Sequence, residues 1–138
     1  MKRITKLAGS AVFVALATAA MPASAAKIGV TMSAFDDNFL TVLRNSMKSH
    51  AGSQKDVSVQ FEDAQNDIGR QISQVQNFIA QRVDAIVVNV VDTEVTPKIT
   101  KMVSAAGIPL VYVNRLPADR VLPAKVALAP VLFSTTTG

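Results

Sequence analysis

The sequence predicts an α/β fold, a doubly wound parallel sheet with helices on both faces, and three observations carry it. After residue 26, short β-prone runs alternate with segments of helical periodicity three times over. One run, Asp84 to Val91 (DAIVVNVV), is continuously apolar, as a strand buried on both faces requires. Successive strand, helix, strand units close by right-handed crossovers, which leaves their strands parallel.

Each element has its own signal. Lys27 to Met32 (KIGVTM) is the first strand, and Asp37 to Ala51 follows with Phe39, Leu40, Leu43 and Met47 at helical spacing before Gly52. Val57 to Phe61 alternates apolar and polar residues. After Asp63-Ala64-Gln65-Asn66-Asp67, Ile68, Ile72, Val75, Phe78 and Ile79 form an apolar stripe, the mark of a helix packed on one face. The third strand, Asp84 to Val91, leads to a helix from about Glu94 to Ala106, with Pro97 in its first turn and Gly107 at its C-terminal cap. Pro109 to Val113 (PLVYV) is the fourth strand.

Ahead of these elements, Lys2, Arg3 and Lys6 precede an apolar stretch from Leu7 to Met21 and then Pro22-Ala23-Ser24-Ala25, the organisation of an export signal cut after Ala25. That stretch is shorter than the roughly 20 residues a membrane-spanning helix needs. Removing residues 1–25 leaves 113 residues with 11 basic and 10 acidic side chains, so the high isoelectric point belongs to the signal. No case for a nucleic-acid partner remains. The chain has no Cys, which removes zinc ribbons, thiol catalysis and a lipid-bearing cysteine together, and the expected location is periplasmic, soluble and unanchored.

In a doubly wound sheet, ligands bind outside the carboxyl ends of the strands. The loops there read Ser33 to Asn38, Glu62 to Asp67, Asn89 to Thr93 and Asn114 to Pro117. Carboxylates and carboxamides dominate, with one arginine, and no glycine-rich phosphate loop is present. His50, the one histidine, falls near the end of the first helix, where a cation suits the dipole. No metal constellation, nucleophile-base pair or cofactor motif stands out, and no enzyme is expected.

Acid and amide groups beside an aromatic match a neutral polyhydroxylated ligand: each hydroxyl both donates and accepts, and the C–H face of the ring lies on an aromatic. Asp37 and Phe39 are the candidates in the first loop. On the residues alone, Asp36 or Asp37 equally suits a helix cap and Phe39 an ordinary core position.

Lys27-Ile28-Gly29-Val30-Thr31, Phe35-Asp36-Asp37-Asn38-Phe39, Glu62-Asp63-Ala64-Gln65-Asn66-Asp67 and Val88-Asn89-Val90-Val91-Asp92 occur in order at the expected element ends. Together they resemble the N-terminal half of the type I periplasmic sugar-binding proteins, over about residues 27 to 120, in the galactose/glucose-binding branch or, from Asn114-Arg115-Leu116-Pro117, the inositol and rhizopine binders. The resemblance implies a non-enzymatic receptor that delivers a monosaccharide or cyclitol to the permease of an ABC importer in the inner membrane. It implies sugar contacts from Asp37, Phe39, Asn89 and Arg115, and no cofactor. Asp63, Asn66, Asp67 and Asp92 are expected to cap helices or shape loops.

Two other classes share the fold. A receiver domain would place its phosphate-accepting Asp where Asn89 stands, and a repressor core would carry a helix-turn-helix where the signal lies. The resemblance also divides the chain into a signal (1–25), an N-terminal lobe (26–123) and a divergent tail (124–138). The tail loses the family's pattern after about Lys125, as a frameshift or premature end would cause. In the family, sugar is held between two lobes. A single lobe is therefore expected to bind weakly, a complex of about 1 μM falling toward about 1 mM, and to leave an apolar sheet edge exposed.

Overall fold

A computed structural model describes residues 24–118 and 123–129. The expected export signal lies outside the described residues apart from Ser24 and Ala25, and so does the tail from residue 130 onward. Three strand-helix units and two further strands follow one another: β1 (Ala26–Met32), α1 (Asn38–Gly52), β2 (Val57–Asp63), α2 (Ile68–Ala80), β3 (Ala85–Val88), α3 (Thr96–Ala105), β4 (Leu110–Val113) and β5 (Val126–Ala129). A 3-10 turn at Thr93–Val95 leads into α3. All five strands are parallel, in the order β2-β1-β3-β4-β5, so the doubly wound class holds.

Pleating divides the apolar residues between two layers. Ile28, Val30 and Met32 of β1 face Leu40, Leu43 and Met47 of α1, together with Val59 and Phe61 of β2. On the other face, Ile86, Val88, Leu110 and Tyr112 pack with Val75 and Phe78 of α2 and with Ile99 and Val103 of α3. The layers are unequal, because α1 lies over the β1–β2 side while Ala127 and Ala129 of β5 are exposed.

Three elements depart from the sequence expectation. The apolar run from Asp84 to Val91 is a strand only over Ala85–Val88, since from the Asn89 carbonyl onward side chains take over the backbone hydrogen bonds, as described below. It is not buried on both faces either: Ile86 and Val88 are buried, while Ala85 and Val87 are half-buried under the thinner layer. Helix α2 buries Val75 and Phe78 of the expected stripe, but amides complete its inward face. Its buried residues are Gln71, Gln74, Val75 and Phe78, with Ile68, Ile72 and Ile79 at the margin. Finally, the tail opens with β5, a strand that the sequence reading did not contain, paired with β4 from Leu110↔Val126 to Val113↔Ala129.

Two glycines meet local demands. Gly107 (φ 71) follows α3 as a left-handed stop, with Gly107 N donating to Ser104 O (3.0 Å) and Ile108 N to Val103 O (3.3 Å). Gly29 lets Phe78 lie flat on β1: a Cβ there would sit 2.5 Å from the ring. Gly29→Ala should therefore cost about 1 to 3 kcal/mol by overpacking. Urea unfolding will measure it, and Phe78→Leu in the same chain should return part of the loss.

Candidate functional site

The loops at the carboxyl edge are held by short-range hydrogen bonds. Asp37 is the N-cap of α1, its Oδ1 accepting from Leu40 N at 2.8 Å, which decides between Asp36 and Asp37 for that role. Phe35 is fixed from behind: its carbonyl accepts from Thr41 Oγ1 (2.8 Å) and Arg44 Nη1 (3.3 Å), and the Arg44 guanidinium lies 4.0 Å from its ring centroid. Asp36 is exposed and, among the described residues, makes no hydrogen bond or ion pair. Phe39, at the start of α1, is half-buried beside the α1 layer.

After β2 the chain turns sharply, with Gln65 (φ 51) and Asn66 (φ 56) both left-handed. The Asp63 carboxylate accepts from Gln65 N (2.9 Å), and Ala64 N and Asn66 N donate to Met32 O (2.9 Å) and Ser33 O (2.7 Å), which ties this loop to the end of β1. Asp67 and Asp92 cap α2 and the 3-10 turn through Arg70 N and Glu94 N, as expected of cap residues. Ala34, Phe35, Asp36, Asp63, Gln65 and Asn66 line an open cleft of ≈ 330 Å³ between the first two loops. A larger space of ≈ 510 Å³ lies under the far end of α1, at the amino end of the sheet, with Ile28, Val30, Met47, Val57, Val59 and Val87 among its lining.

All four sequence candidates fall at the carboxyl edge, but in different states. Asp37 and Arg115 are exposed, Phe39 is half-buried and Asn89 is wholly buried. The Asn89 carboxamide faces inward as a clasp: its Oδ1 accepts from Ser33 Oγ (2.6 Å) and Ser33 N (3.1 Å), and its Nδ2 donates to Val113 O (3.4 Å). In this structure the side chain is enclosed and both acceptor positions of its oxygen are taken by Ser33, at the end of β1. Arg115 follows Asn114 (φ 69), and its Nη1 donates to the carbonyls of Val90 and Val91. One nitrogen is so engaged; the rest of the guanidinium fork stays available at an exposed position.

Sequence reasoning missed Gln71 and Gln74, which are buried on α2. Gln71 Oε1 accepts from Val91 N (2.8 Å), while its Nε2 donates to Asn89 O (3.0 Å) and Thr31 Oγ1 (3.2 Å). Thr31 Oγ1 donates in turn to Gln74 Oε1 (2.7 Å), and Gln74 Nε2 donates to Asp63 O (2.8 Å). The signal was present: positions 71, 74, 75 and 78 have the spacing of a helix face, half of it amide rather than hydrocarbon.

Residues 28–125 match the family model described as a periplasmic binding protein domain. Over 111 residues the chain is 50% identical to a Rhizobium meliloti protein named for rhizopine binding, an overlap of 80% of this chain and 35% of that one. It is 29% identical over 123 residues to a D-galactose/methyl-galactoside binding periplasmic protein of Haemophilus influenzae, covering 88% and 37%. An ABC transporter solute binding protein from Bacillus halodurans C-125, solved with bound myo-inositol, has a TM-score of 0.66 at 44% identity, over 70% of this chain and 33% of that one. The chain thus spans about a third of the length of these relatives.

Asn89→Ala should strand the buried Ser33 N–H without its acceptor. A loss of about 1 to 3 kcal/mol is expected in denaturant unfolding.

Proposed function

The chain belongs to the periplasmic binding protein domain family, and we propose that its carboxyl edge binds a monosaccharide or cyclitol as one lobe of the solute receptor for an ABC importer. The observation that carries this reading is the chemistry of the edge. Exposed Asp36, Asp37 and Arg115 stand with the amides of Gln65 and Asn66 beside the fixed Phe35 ring and half-buried Phe39, with no phosphate-binding glycine loop among them. Carboxylates accept from vicinal hydroxyls, the guanidinium donates to the same oxygens, and an aromatic ring offers a surface for the C–H face. The relatives named for rhizopine and galactoside binding, and the one holding myo-inositol, support a polyhydroxylated ring as the ligand class.

In this reading Asp37 has two duties. One oxygen holds Leu40 N, and the other is left for a ligand hydroxyl. Phe39 lies two residues on, in the first turn of α1, and Arg115 reaches the edge from beyond β4, against the carbonyls that follow β3. Asn89 serves by holding Ser33 and Val113 in place. The partner is the permease of the importer in the inner membrane, the compartment is the periplasm, and no catalysis is involved.

Titrating the labelled chain with myo-inositol, D-galactose and D-ribose, and following backbone amide shifts, tests the reading. One of the three should move the amides of residues 35–39 and 115. Asp37→Ala should then weaken binding by about 1 to 3 kcal/mol, since ligand hydroxyls lose their acceptor, and Asp36→Ala by less. Phe39→Leu should weaken binding without unfolding the domain. No shift change at the edge with any of the three compounds, or equal losses for both Asp variants, would overturn the reading.

A further inference from the structure

The buried amides described above form one connected path. From Asp63 O at the end of β2 it runs through Gln74 to Thr31 on β1, through Gln71 to Asn89 O and Val91 N beyond β3, and through the Asn89 side chain to Ser33 and to Val113 O on β4. The carboxyl ends of four neighbouring strands are thereby joined by side chains from below. Gln71 is the branch point, with three bonds and no exposed surface.

We propose that Gln71 is a positioning residue for the binding edge: it sets the path of Asn89 to Val91, and through it the seats of Ser33 and Arg115. This deepens the function proposed above and rests on it for the word binding. The argument is one of hydrogen-bond accounting. Backbone groups that leave a ladder inside a protein need new partners. The last backbone bond to β1 is Asn89 N to Thr31 O (2.9 Å), and beyond it Asn89 O and Val91 N find theirs on the two ends of one carboxamide. The carbonyls of Val90 and Val91 then point to Arg115. A hydrocarbon at position 71 could fill the same space but could not dictate which way these peptide groups turn. Gln71 itself is enclosed and touches no ligand. Its effect passes through the loop.

The test uses the full chain, labelled with ¹⁵N, in three variants. Gln71→Met keeps the volume and removes every bond. Thr31→Val cuts the path beside it with little change of shape. Val103→Ala lowers stability in α3, away from the path. Amide hydrogen exchange should show Ser33, Asn89 and Val91 faster by about tenfold or more in Gln71→Met, relative to Val30 and Leu110 in the same sample. Thr31→Val should repeat the pattern at smaller amplitude, and it decides the matter if Gln71→Met does not fold. Val103→Ala should speed exchange without singling out the edge. Titration with myo-inositol in the millimolar range should show weaker binding in Gln71→Met than in Val103→Ala at equal melting temperature. Edge amides that stay protected, or that change only in step with the core, would overturn the proposal. If the unaltered chain shows no response to myo-inositol, D-galactose or D-ribose, the function reading falls and the exchange pattern still decides the role of Gln71 in shaping the edge.

Discussion

The fold hangs on how peptide groups are satisfied where the parallel ladder ends. A doubly wound sheet must release its strands at the carboxyl edge so that loops can carry side chains outward, yet each released N–H and C=O is still partly inside the protein. Here two glutamines, a threonine, a serine and an asparagine, all buried, receive them. The price is five polar side chains in the interior, tolerable only because each finds partners at hydrogen-bond distance. The end of β1 at Ser33 and the seat of Arg115 beyond β3 stand on this buried layer.

The exposed groups are held from two directions. From the α1 side, Thr41 and Arg44 fix the first loop by its Phe35 carbonyl and ring. From the α2 side, the amides fix the strand ends. Between these supports the second loop adopts two consecutive left-handed residues, Gln65 and Asn66, a conformation that costs side-chain-bearing residues energy and persists where neighbours over-determine it. The backbone bonds from Ala64 and Asn66 to the end of β1 are those neighbours. Preorganisation of this kind leaves less ordering to be done when a ligand arrives.

Periodicity made most of this architecture legible. The first four strands, the three helices and their order follow from apolar spacing, and Gly107 and the cap aspartates follow from local turn chemistry. What escaped had physical reasons. The strand Val126–Ala129 is four residues of small or aliphatic side chains, too short to show a period, and its partner β4 supplies the pairing. The apolar stripe of α2 contains Val75 and Phe78, which are buried, but amides occupy the other half of the inward face, and hydrophobicity is blind to a carboxamide that finds partners inside. Asn89 was placed correctly at the end of its strand. Its direction could not be read, because inward and outward differ only by which neighbours accept and donate, and those neighbours come from β1 and β4.

That the edge is braced by amides while the layers beneath it are apolar has a thermal consequence. Burial of hydrocarbon is driven by water's entropy near room temperature and weakens on cooling, with a large heat-capacity change. Bonds among buried carboxamides, hydroxyls and peptide groups expose little apolar surface when they open, so they add little to that heat capacity. Cooling weakens the drive that holds the two apolar clusters together, and it reaches the path from Asp63 to Val113 only through α2, which carries Gln71 and Gln74 beside Val75 and Phe78. The carboxyl edge and the scaffold therefore answer to temperature through different physics, and α2 is the element in which the two are joined.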